Sequence, residues 1–97
     1  MAENMVTVTI QLGNSDNKLS QIEWASFVAE ADSTVRRYTN TVHFCGAPAS
    51  TAPYQNFAMV IDISESELDL LKGSLKRLRE VYFQDSIALT VGTTEFI

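Results

Sequence analysis

His43 and Cys45 stand two residues apart in the short run Thr41-Val42-His43-Phe44-Cys45, and they are the chain's only histidine and only cysteine. An imidazole has the ordinary pKa best suited to proton transfer near neutrality. A thiol becomes nucleophilic once nearby positive charge stabilises its thiolate. On a regular strand, alternate residues share a face, so the spacing allows a Cys–His contact. Asp62 lies in the apolar run Phe57-Ala58-Met59-Val60-Ile61-Asp62-Ile63, where burial would raise its pKa and make it a base. Each residue also has a plainer role. These are a strand histidine hydrogen-bonded at an interface, a buried unreactive cysteine, and an acid marking the exposed end of a strand. No catalytic set is complete, so His43 and Asp62 stand as the only proton-transfer candidates. His43, Cys45 and Asp62 also fall short of the four ligands of a closed zinc site. Neither a metal nor a cofactor is expected.

A second group of candidates is a binding set. Residues 46–56, Gly-Ala-Pro-Ala-Ser-Thr-Ala-Pro-Tyr-Gln-Asn, hold both prolines and mostly small side chains. Hairpin loops usually take about two to five residues, so this connection is long, and long loops on rigid scaffolds often bind. Gly46, Pro48 and Pro53 shape it, while Ser50, Thr51, Tyr54, Gln55 and Asn56 offer hydrogen-bonding groups and one aromatic surface. Arg36 and Arg37 would add positive charge for an anion if the fold brings them near. Phosphate-loop spacing, a glycine-rich dinucleotide fingerprint and a serine nucleophile elbow are all missing from the sequence. Trp24 and Phe27 read as core residues.

Composition narrows the function classes further. The chain has 97 residues, 45% of them apolar and 20% charged. That suits one globular domain spanning residues 1–97. The net charge of −5 argues against direct nucleic-acid binding, which needs clustered Lys and Arg. The acids are too dispersed to imitate a nucleic acid, and many fall in the first turns of predicted helices. No apolar run approaches the roughly 20 residues of a membrane helix. The opening Met1-Ala2-Glu3-Asn4 lacks the basic start of a secretory signal. With a single cysteine, a reducing, cytoplasmic setting is expected.

The elements that must position these residues follow from periodicity. Residues 5–12 alternate, with Val6, Val8, Ile10 and Leu12 on one face and Thr7, Thr9 and Gln11 on the other. Ser20-Gln21-Ile22-Glu23 and Ser64-Glu65-Ser66-Glu67 read as capping boxes, each with hydrophobic-staple residues: Leu19 with Trp24, and Ile63 with Leu68. They predict helices over 21–37, with the stripe Trp24, Phe27, Val28, Ala31, Val35 and Tyr38, and over 65–83, with the stripe Leu68, Leu71, Leu75, Leu78 and Tyr82. Gly73, inside the second helix, reads either as a close helix contact or as a tolerated defect. Strands are expected at 41–45, 57–63 and 86–91, and the chain closes on Glu95-Phe96-Ile97.

The order βαββαβ fits an α+β ferredoxin-like arrangement, an antiparallel sheet with both helices on one face. Parity places Phe44 and Val91 on the helix side. The other face is expected to hold Thr7, Thr9, Gln11, Thr41, His43, Cys45, Ala58, Val60, Asp62, Ala88 and Thr90. A solvated face normally carries more charge, so this one suits a second layer, either a subunit or a ligand. In layout the chain resembles the ferredoxin-like superfamily whose sheets pair into dimeric α+β barrels. That resemblance implies a homo-oligomer, with a dimer favoured, and spans cofactor-independent monooxygenases, isomerases and binding or regulatory domains. The expectation is a small non-catalytic binding protein for a protein partner or small ligand, of the class of bacterial or phage accessory and inhibitor proteins. The 46–56 loop and the outer sheet face supply its contacts, led by His43, Tyr54 and Gln55. Two alternatives are a cofactor-independent enzyme with its pocket near His43 and a structural assembly subunit.

Overall fold

The computed structural model describes residues 4–14, 18–48 and 55–97. The element order is β1 (Met5–Gly13), α1 (Gln21–Arg36), β2 (Thr41–Gly46), β3 (Asn56–Ser64), α2 (Glu65–Val81) and β4 (Ala88–Gly92). The strands form one sheet in the order β2-β3-β1-β4, and every neighbouring pair is antiparallel. This is the ferredoxin-like α+β fold.

Alternation in the two central strands sets the layers. Val8 lies opposite Ile61 and Ile10 opposite Met59, and all four are buried with Val35 of α1 and Leu71 and Leu75 of α2. A second cluster joins Leu12 and Leu19 to Phe27, Ala31 and Leu78, with Trp24 and Tyr82 packed at its margin. Both helix stripes therefore meet the same face of the sheet, and the other face is left without a helical layer.

The two helix starts differ. At α1 the box forms in full: the Glu23 N–H donates to Ser20 Oγ at 3.2 Å, and the Ser20 N–H donates to the Glu23 carboxylate at 3.0 Å. At α2 the expected box does not form, and Ser64 makes no side-chain cap bond. β3 runs straight into α2 there, and the Glu65 N–H donates to the Asn4 carbonyl at 2.8 Å. The buried Ser64 hydroxyl instead pairs with Ser66 Oγ.

α2 closes with a Schellman arrangement. The Gln84 N–H donates to the Arg79 carbonyl and the Phe83 N–H to the Glu80 carbonyl. Phe83 takes the left-handed position that glycine usually fills, with φ 54°, and its ring is 86% exposed. Phe83→Gly is therefore expected to raise stability by about 0.5–1 kcal/mol, read from the urea midpoint. A Cβ at Gly73 would meet nothing within 4 Å, so this glycine marks no close contact. Gly73→Ala is expected to stabilise by about 1 kcal/mol in the same assay.

One irregularity matters for function. The β2–β3 register slips between Val42 and Phe44, a β-bulge that makes His43 the extra residue. Beyond it, Phe44 lies opposite Val60 and Cys45 opposite Met59, so parity is inverted. Phe44 leaves the helix side for the open face and is 56% exposed. Cys45 moves the other way, to the helix side. Val91 keeps its expected helix-side register opposite Val8, yet is 48% exposed, because neither helix covers the end of this edge strand.

Candidate functional site

The two candidates for proton transfer meet on the open face. His43 Nε2 lies 3.1 Å from Asp62 Oδ2, and Thr7 Oγ1 donates to Asp62 Oδ1 at 2.8 Å. An ionised carboxylate only accepts, so Nε2 carries the imidazole proton and Thr7 commits its own proton to Asp62. The Thr94 hydroxyl, 2.8 Å from Thr7 Oγ1, must then be the donor in that pair. Thr39 Oγ1 donates to the Asp62 carbonyl and accepts from the Thr41 N–H at 3.0 Å, which ties the start of β2 to the end of β3.

The expected rise in the Asp62 pKa is reversed. The Thr7 hydrogen bond first, and the His43 bond second, hold its carboxyl below the ordinary carboxylate range, against a smaller opposing effect of burial. Asp62 is thus held in its ionised form by its hydrogen bonds, which weakens it as a base. A depressed folded-state pKa contributes stability above the unfolded value near 4, lost as pH falls through the folded value. Asp62→Asn is expected to be less stable than the parent at pH 7, with the gap narrowing below about pH 4 in paired urea titrations. A gap independent of pH would show that the carboxylate charge plays no part.

Around this cluster the open face forms a cleft of about 620 Å³, lined by Met5, Thr7, His43, Val60, Asp62, Thr94 and Phe96 among others. That volume falls within the usual range of small-molecule sites, about 300–1,000 Å³. Phe96, 94% exposed, contributes an aromatic wall from the segment beyond β4. Other open-face positions, by register, are Thr9, Gln11, Thr41, Phe44, Ala58, Ala88 and Thr90. None of these is ionisable.

The remaining candidates are not gathered here. Cys45 faces the helix layer, where Arg36 Nη2 approaches its sulfur at 3.8 Å, so the thiol meets an arginine and not His43. Arg36 is itself held by Asp32 at 2.6 Å. Arg37 lines a separate cleft with Tyr38, Asn40 and Glu67. Gln55 joins a polar knot at the far end of the sheet: its Oε1 accepts from Asn14 Nδ2 at 2.8 Å, and its Nε2 donates to Gln21 at 2.7 Å. Asn56 lies opposite Gly13 at that end. Ser50, Thr51 and Tyr54 lie outside the described residues. Among the described residues no group of three or more His, Cys, Asp and Glu is placed to hold a metal ion, and no helix is long and apolar enough to cross a membrane.

Sequence reading missed Phe44, Met5, Thr94 and Phe96 as parts of this face. Met5 shares the odd-numbered parity of Thr7 and was legible in principle. Phe44 was hidden by the bulge, and Thr94 and Phe96 by the course of the chain beyond β4.

No protein-family model and no curated protein matches the chain. Solved structures do resemble it. The de novo designed protein Foldit4 overlays at TM-score 0.61 with 14% identity, covering 95% of this chain and 100% of that one. An uncharacterised protein from Thermotoga maritima, TM1266, overlays at TM-score 0.53 with 8% identity, covering 94% of this chain and 96% of that one. Both likenesses are likenesses of fold. A dimeric ferredoxin-like protein from an uncultured marine organism overlays at only 0.39, with 12% identity over 99% of this chain and 93% of that one; it says nothing about assembly here.

Proposed function

We propose that this chain is a non-catalytic binding protein that works through the open face of its sheet, closing that face against a second copy. One observation carries the reading. The face exposes Met5, Phe44 and Phe96, and its ionisable strand residues, His43 and Asp62, are spent on each other. The protein's net charge of −5 would hold two copies apart if acids covered the contact. Asp62, paired with His43, is the one acid on the strands of this face, and Glu23, Glu65 and Glu67 lie in the first turns of the helices. With strands about 4.8 Å apart and a rise of about 3.3 Å per residue, the sheet offers on the order of 500 Å² per copy. The segment beyond β4 extends this toward the roughly 600 Å² per partner of a small specific interface. In a closed pair the cleft beside His43 becomes an enclosed, mostly apolar chamber for a small ligand.

Native mass spectrometry across a wide concentration range tests this. A dimer is expected, and any retained small-molecule mass would name the ligand. A monomer at every concentration would overturn the reading. The Asp62–His43 contact supports one other reading, a cofactor-independent enzyme in which Asp62 orients His43 and the free Nδ1 accepts a proton. His43→Gln separates the two: its amide N–H can still donate to Asp62 and keep the dimer, but it has no titratable nitrogen and should abolish turnover if catalysis is present.

A further inference from the structure

The sheet has two edges, and they are built differently. At one edge, β2 carries the bulge at His43, and bulges discourage pairing with another chain. At the other, β4 pairs with β1 in unbroken register, and its sequence Ala88-Leu89-Thr90-Val91-Gly92 contains no charge, proline or bulge. Edge strands normally carry one of these protections.

Beside the β4 edge lies a cleft of about 190 Å³ between the strand and α2, with Leu75, Ile87 and Leu89 as its floor and Lys72, Lys76 and Arg79 along its side. Three of the seven Lys and Arg residues of an acidic chain thus line one ridge of one helix. Arg79 also touches Glu80 at 3.6 Å, but Lys72 and Lys76 make no ion pair among the described residues.

We propose that this edge is a docking site for an extended acidic segment of a partner protein, which adds to the sheet as a fifth strand beside β4. The free N–H and C=O groups of β4 supply the ladder, as in β-strand addition generally. An apolar residue of the guest covers Leu89 and the half-exposed Val91. Carboxylates two residues to either side, on the same face of the strand, meet Lys72 and Lys76. The charge also selects against a second copy as occupant. Two β4 strands paired about a two-fold axis would bring the Lys72, Lys76 and Arg79 ridges of both molecules face to face across the seam. This site is separate from the open face and does not depend on what that face binds.

Titration of the isotope-labelled full chain with the peptide Thr-Glu-Thr-Val-Thr-Glu-Thr, blocked at both ends, tests the proposal. Amide shift changes are expected in Ala88–Gly92 and along α2 from Lys72 to Arg79, with none in β2. The double variant Lys72→Glu/Lys76→Glu should bind this peptide about tenfold more weakly, and should instead bind the analogue with Lys in place of Glu. No shift at millimolar peptide, shifts elsewhere, or equal binding of both peptides by the parent chain would overturn it. The dispersion of the variant's own spectrum verifies that it is folded.

Discussion

Phe27→Ala is expected to lower the stability of the chain by about 3–5 kcal/mol, read from urea unfolding followed by far-ultraviolet circular dichroism. Phe27 is almost wholly buried and ties α1 to the end of α2. Its ring centroid lies 4.9 Å from that of Tyr82 and 6.1 Å from that of Trp24 in an edge-on contact. It also packs in the cluster with Leu12, Leu19, Ala31 and Leu78. Removing the ring takes away its transfer free energy and leaves a cavity between a strand and two helices that cannot collapse together. Small domains have about 5–15 kcal/mol in total, so this one change would consume much of the reserve. A loss below about 1 kcal/mol would mean that the second cluster is not packed as described.

Val60→Lys is expected to weaken self-association at least about a hundredfold, measured by sedimentation equilibrium. Val60 is at the middle of β3, opposite Thr9 on one side and Phe44 on the other, and lines the open cleft. In the free chain a lysine there extends into solvent, so the fold tolerates it. In a closed pair it places an ammonium in an apolar contact, facing its own copy across the axis. Burying an unpaired charge costs several kcal/mol, well beyond what a small interface holds in reserve. A lysine placed instead at an exposed α2 site, as in Glu80→Lys, should not weaken association.

Much of the fold is legible in the residues, and the failures have local causes. Strict alternation in β1 and β3 identified Val8, Ile10, Met59 and Ile61 as core, because both strands are central and regular. The stripe Leu71, Leu75 and Leu78 was equally clear and is buried as expected. Capping chemistry was right at Ser20, where the chain enters α1 from a loop. It was wrong at Ser64, where β3 leads directly into the helix and the Asn4 backbone accepts the first N–H. That partner is remote in sequence, so no local motif announces it.

The site was less legible than the fold for the same reason. His43 and Asp62 were each visible, but Asp62 was expected to be raised in pKa by its apolar neighbours along the strand. Its strongest bond comes instead from Thr7, on the adjacent strand and 55 residues away in sequence. The bulge at His43 has no glycine or asparagine to signal it, yet it exchanges the faces of Phe44 and Cys45. That exchange gives the strands of the open face an aromatic residue, Phe44, and removes the thiol from the histidine. Gln55 looked like a ligand contact because it is polar and in a long loop; it is bound to Asn14 and Gln21 of this chain.

The claim that the open face meets a second copy is tested most directly by a filtered nuclear Overhauser experiment on an equal mixture of carbon-13-labelled and unlabelled protein. Intermolecular contacts are expected from the methyl groups of Met5 and Val60 to aromatic protons of Phe44 and Phe96 in the other copy. Intermolecular contacts confined to the helices or to β4, or none at millimolar protein, would contradict it.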